Sequence, residues 1–89
     1  MNRSQILDTA KEHINVDRAD THGDAASNFG VVAAFWSAHL DTYVGPEDVA
    51  VMMTLFKIAR IKANPQHLDS WSDGCGYLAL GGEIATGEV

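Results

Sequence analysis

Apolar residues recur along this chain at the spacing of α-helices, and no segment alternates apolar and polar residues as a half-buried strand does. The first helix is predicted over residues 4–15, with Ser4 as its N-cap. A polar loop over residues 16–23 follows. Asp24 is the expected N-cap of a second helix, which extends to about Leu40. The pattern predicts an all-α fold.

Two further helices are predicted in the second half of the chain. Gly45 and Pro46 open the third helix, because proline suits the first helical position. Asn64 or Asp69 is the expected N-cap of the fourth helix, which therefore begins between residues 65 and 69.

The third helix is apolar around most of its circumference. At 100° per residue, its polar residues fall within one stripe about 140° wide. This stripe contains Glu47, Thr54, Lys57 and Arg60. The apolar remainder contains Val49, Met52, Met53, Leu55, Phe56, Ile58 and Ala59. Such a helix is expected at the centre of a bundle, with only its polar stripe exposed to solvent.

Length and apolar content bound the architecture. Residues 1–80 are predicted to form one four-helix, bundle-like domain, and residues 81–89 a flexible C-terminal tail. A core built from so few residues is marginal, yet 46% of the 89 residues are hydrophobic. We therefore expect a homo-oligomer, a dimer or larger, that covers apolar helix surface.

The charge balance excludes some classes of partner. The net charge is −6, with only 6 lysines and arginines, which argues against nucleic-acid polymers and anionic membrane surfaces. A small anionic ligand needs only a few placed cations and stays compatible. The lone Cys75 rules out an internal disulfide and fits a reducing compartment. With no signal-peptide pattern, the cytoplasm is the expected location.

Acidic residues on the last two helices suggest a metal site. Asp69 and Asp73 are four residues apart, on one face of the fourth helix. Together with Glu47 or Asp48, they form an oxygen-ligand set that suits Mg²⁺. The alternative is structural, with Asp69 as a helix cap and Asp73 paired to Arg60.

Candidate ligand-binding groups accompany these carboxylates. Lys57 and Arg60 lie one turn apart and would neutralise the phosphates of a nucleotide. Asp24 and Asn28 lie one turn apart at the start of the second helix, where they would act together on a ligand or serve as a cap and a surface amide.

Four segments of the chain carry a family resemblance, and they are 21–29, 35–40, 47–61 and 69–77. Their most specific part is Lys-x-x-Arg-Ile followed by Asp-x-x-x-Asp-x-x-Gly-Tyr. With these segments the chain resembles small phage-encoded domains, which in turn resemble the phage nucleotide-modification-associated domains and, more distantly, the MazG-like all-α nucleotide pyrophosphohydrolases. The resemblance covers roughly residues 5–80.

This resemblance implies a helical, oligomeric domain that acts on nucleotides or binds them in an infected bacterium. The residues of this chain that match the family's motifs are Asp24, Asn28, Lys57, Arg60, Asp69 and Asp73. MazG-like enzymes hold magnesium with Glu-x-x-Glu on one helix and Glu-x-x-Asp on the next. Here the third helix has Val51 and Thr54 after its first turn, and the acids of the fourth are spaced by four. The carboxylate set therefore departs from the family pattern.

Three functional hypotheses follow. The first is a Mg²⁺-dependent nucleotide pyrophosphohydrolase in which Asp69 and Asp73 are catalytic and hold the metal with Asp48. The second is a phage protein that binds a nucleotide or a nucleotide-derived signal without chemistry. The third is a phage protein that binds a host protein to counter host defence, with the charged residues forming an internal salt-bridge network.

Overall fold

This computed structural model describes residues 1–17 and 25–87, and these residues form four α-helices. A π-helical turn, His13–Asp17, follows the first helix. The all-α prediction is confirmed, since the described residues contain no strand. Within the same ranges, no helix combines the length and the apolarity needed to cross a bilayer. The helices are α1 (Arg3–Glu12), α2 (Ala25–Leu40), α3 (Pro46–Ala63) and α4 (Leu68–Thr86).

The helix ends partly follow the prediction. Pro46 is the first residue of α3, and Leu68 begins α4 inside the predicted range. The expected cap Ser4 is wrong, because the cap of α1 is Asn2. The Asn2 side chain accepts from the Gln5 N–H at 2.9 Å, and the Gln5 side chain accepts from the Asn2 N–H at 2.8 Å. This reciprocal capping box satisfies two N–H groups at the helix start.

The fourth helix is longer than predicted. It continues past Leu80 to Thr86, so residues 81–86 are helical and not a frayed tail. Gly81 is buried against Ala50 of α3, which gives this last part of the helix a packing partner. Glycines usually weaken a helix, and here tertiary packing outweighs their low propensity.

The helices α3 and α4 form an antiparallel hairpin joined by a short connection. Ala50 near the start of α3 faces Gly81 near the end of α4, and Lys57 faces Gly74. The contact face of α4 carries small buried residues, among them Ser70, Gly74 and Gly81. Small residues allow the two backbones to approach closely.

The helix α2 packs against the hairpin mainly through α3. Ser37 of α2 holds the connecting loop, because its hydroxyl donates to the Val44 carbonyl at 3.1 Å and accepts from the Val44 N–H at 2.8 Å. The resulting apolar core is small. It contains the buried residues Ala33, Val44 and Val49, with Phe29, Val32, Trp36 and Met53 packed around them.

The orientation of α3 differs from the prediction. The middle of its polar stripe faces the interior, since Thr54 is buried and the Lys57 side chain is only 18% exposed, whereas Arg60 at the end of the stripe is exposed. The opposite side, which we call the α3 outer face, is apolar and exposed. It consists of Val51, Met52, Leu55, Phe56 and Ile58, each between 38% and 57% exposed. The prediction that this helix lies at the centre of a bundle is therefore wrong for the single chain, because no further layer covers that side within the described residues.

Candidate functional site

Three ionisable side chains meet where the end of α1 approaches the α3–α4 hairpin. Lys57 Nζ lies 3.0 Å from Asp73 Oδ2, and His13 Nδ1 lies 3.8 Å from Asp73 Oδ1. The Lys57 and Asp73 side chains are 18% and 17% exposed. Asp73 thus bridges a residue of α3 and the first residue of the π-helical turn. Short π-helical segments occur often at functional sites.

A narrow cleft opens beside this cluster. It has room for about one water molecule. Its lining combines an apolar wall with His13, Ser72, Asp73 and the Tyr77 ring. Phe29 of α2 reaches the same region, since its ring centroid lies 6.4 Å from that of Tyr77. The lining residues are Ala10, His13, Ile14, Ser72, Asp73, Gly76, Tyr77 and Leu80.

The two predicted anion-binding cations both lie near one aromatic ring. The Arg60 guanidinium carbon is 4.9 Å from the Phe56 ring centroid, and Lys57 Nζ is 5.9 Å from it. Arg60 is exposed, whereas Lys57 is engaged by Asp73. The structural alternative that paired Asp73 with Arg60 is therefore wrong in its partner, because Lys57 occupies that position. The positive charge of Lys57 is largely compensated before any ligand arrives.

Asp69 does not join the cluster. It lies exposed in the first turn of α4, and its carboxylate has no ion-pair or hydrogen-bond partner among the described residues. It is also not the helix cap, because the N-cap residue is His67. Its position still suits a carboxylate, since the first turn of a helix favours negative charge.

The third predicted metal ligand, Asp48, has a separate structural role. Its carboxylate accepts a hydrogen bond from the Gly45 N–H at 2.9 Å, at the start of α3. By the register of the hairpin, Asp48 lies level with Glu83, ten residues and about 15 Å along α4 from Asp73. The predicted three-carboxylate site is therefore not assembled. Within residues 1–17 and 25–87, no three His, Cys, Asp or Glu residues are grouped as metal ligands would be.

The remaining predicted pair is only half described. Asp24 lies outside the described residues, so its predicted role beside Asn28 stays a prediction. Asn28 is partly buried in the first part of α2 and has an interaction partner.

His13 and Tyr77 are the members of the site that sequence reasoning did not single out. The available signal for His13 was its place near Ala10 and Ile14, on the apolar side of the first helix, where a polar ring needs a partner. Tyr77 stood inside the quoted segment 69–77 without an assigned role.

Comparisons with known proteins identify the relatives of this chain. It is 48% identical over 76 residues to the Gene 55 protein of Mycobacterium phage L5, and the aligned region covers 84% of this chain and 49% of that protein. It is 38% identical over 72 residues to the Gene 55 protein of Mycobacterium phage D29, and the aligned region covers 81% of this chain and 48% of that protein. The chain thus spans about half the length of these relatives. No solved structure matches it.

These matches confirm the resemblance to small phage-encoded domains. They give no support to the link with nucleotide-modification-associated domains or MazG-like enzymes, which stays a prediction. The model for a domain of unknown function, DUF6378, matches residues 5–85, and the chain therefore belongs to the DUF6378 family.

Proposed function

We propose that this chain is a protein-interaction module of a phage, which binds an apolar helical surface of another protein molecule in the cytoplasm of the infected cell. The observation that carries the proposal is the α3 outer face. Its five large apolar side chains lie on one helix and keep between 38% and 57% of their surface exposed. Single exposed apolar residues are ordinary, but a contiguous row of them marks an interaction surface.

The contrast with the interior strengthens this proposal. Among the described residues, the buried apolar side chains are only Ala10, Ala33, Val44, Val49 and Ala50. Leaving an apolar side chain in water forgoes roughly 1.5–3 kcal/mol relative to full burial. A partner that covers the α3 outer face recovers part of this free energy, which makes association favourable.

The charged cluster fits a structural role better than a catalytic one. Lys57 and Asp73 satisfy each other across the α3–α4 interface, and the predicted ligands Asp48 and Asp69 lie away from them. This arrangement supports the third hypothesis, in which the charges join helices and a protein surface carries the function.

We expect Leu55→Glu to abolish partner binding, because it places a charge in the centre of the α3 outer face. The test is affinity purification of tagged protein from phage-infected cells that also express an untagged copy. Leu7→Glu is the matched control, since Leu7 is 59% exposed on α1. Proteins retained by the wild type and by the Leu7 variant but lost with the Leu55 variant support the proposal. Identical retention by all three contradicts it.

Nucleotide binding is a second candidate, favoured by the two predicted phosphate-binding cations, Lys57 and Arg60, whose charged groups lie 5.9 Å and 4.9 Å from the Phe56 ring centroid. In this hypothesis a nucleotide phosphate displaces Asp73 from Lys57. We expect a nucleoside di- and triphosphate panel, incubated with protein and Mg²⁺, to show either bound nucleotide or monophosphate. Asp73→Asn is the test variant and Asp69→Asn its control. A panel that stays unchanged and unbound with the wild type removes this candidate.

A further inference from the structure

We infer that the partner of the α3 outer face is a second copy of this chain, whose α3 lies antiparallel to the first and crosses it near Leu55. This inference rests on the proposed function and names the partner of the same surface. It commits to a symmetric dimer, in which each copy contributes the same face.

The spacing of residues along this face is that of a helix–helix seam. Val51, Leu55 and Ile58 follow one another at intervals of four and three residues, and Asp48 and Lys62 extend the series at either end by three and four. Alternating intervals of three and four place side chains on one stripe that a second helix can cover. All five residues are exposed in the single chain.

The charges at the two ends select the antiparallel direction. The stripe begins with an acid, Asp48, and ends with a base, Lys62. When a two-fold axis passes near Leu55, Asp48 of one copy lies level with Lys62 of the partner subunit, and the reverse pair forms at the other end. A parallel arrangement instead places like charges together, which is unfavourable. The charge pattern of this stripe is thus complementary to itself.

The test is the molar mass of the purified protein by light scattering, measured from dilute to concentrated solution. We expect the wild type to reach the mass of a dimer and Leu55→Glu to remain a monomer, with dimerisation weakened at least about 100-fold. Because Leu55 is exposed in the single chain, helicity measured by circular dichroism should be kept. Lys62→Glu, which faces Asp48 of the partner subunit with a like charge, should weaken dimerisation about tenfold. Leu7→Glu and Lys11→Glu, both on α1, should leave it unchanged.

The outcomes separate this inference from the proposed function. A wild type that stays monomeric when concentrated overturns the dimer, while a Leu55-dependent partner in the affinity purification still supports the interaction module. A dimer that survives Leu55→Glu and Lys62→Glu places the interface on another face and overturns the inference. If Leu55→Glu loses its helicity, the molar masses of the wild type and of Lys62→Glu test the dimer in its place.

Discussion

Replacing Gly81 with alanine is expected to destabilise the protein by about 2 kcal/mol, the cost of forcing an extra methyl group into a close helix contact. A Cβ atom at Gly81 would lie 2.6 Å from the Ala50 Cβ, whereas real carbon contacts begin well beyond 3 Å. Both atoms are attached directly to backbone, so the helices α3 and α4 must move apart. The urea midpoint of unfolding, measured at one protein concentration, gives the change in free energy.

The neighbouring Gly82 is the matched control. A Cβ at Gly82 meets nothing within 4 Å, so Gly82→Ala should stabilise the helix by up to about 1 kcal/mol through propensity alone. Ala50→Gly combined with Gly81→Ala moves the methyl group across the interface and should recover most of the packing loss. If Gly81→Ala is as stable as Gly82→Ala, the close contact of α3 and α4 is wrong.

Asp73→Ala is expected to cost about 2 kcal/mol, because it leaves the ammonium group of Lys57 mostly buried without a partner. The loss should be smaller than for a fully buried pair, since both side chains keep nearly a fifth of their surface in water. Asp69→Ala, one turn earlier on the same helix, should change the stability by less than about 0.5 kcal/mol. Thermal unfolding of the two variants makes the comparison.

A double variant tests whether the pair itself is needed. Lys57→Met with Asp73→Leu removes both charges and keeps similar volume, so its stability should lie close to that of the wild type. Equal melting of Asp73→Ala, Asp69→Ala and wild type would show that the ion pair does not support the fold. The cluster would then be free for a ligand, as the nucleotide hypothesis requires.

Most of the secondary structure was predictable because local rules decided it. Proline at the first position of α3 and the helical spacing of apolar residues both act within one or two turns. The extension of α4 to Thr86 was not predictable in this way. Two adjacent glycines, Gly81 and Gly82, argue against a helix locally, and the contact with Ala50 reverses that preference.

The candidate site was predictable in its residue types but not in its pairing. Lys57 and Asp73 were both singled out, yet sequence spacing along two helices does not say which residues face each other. The register of the hairpin, in which Gly81 lies against Ala50 and Gly74 against Lys57, brings Lys57 to Asp73 and leaves Arg60 and Asp69 outside. The prediction of the orientation of α3 failed for a related reason. An apolar helix was expected to be covered within its own chain, but the α3 outer face is exposed.

The orientation and the pairing of α3 are both tested by thiol labelling of two adjacent positions on this helix, in a Cys75→Ala background. Thr54→Cys places a thiol on the buried side, and Leu55→Cys places one at the centre of the α3 outer face. We predict that the thiol at position 54 stays protected at every protein concentration. The thiol at position 55 should react rapidly in dilute solution and become protected as the protein is concentrated. Rapid labelling at position 54 with protection at position 55 in dilute solution would contradict the orientation of α3, and equal labelling at position 55 at all concentrations would contradict its pairing.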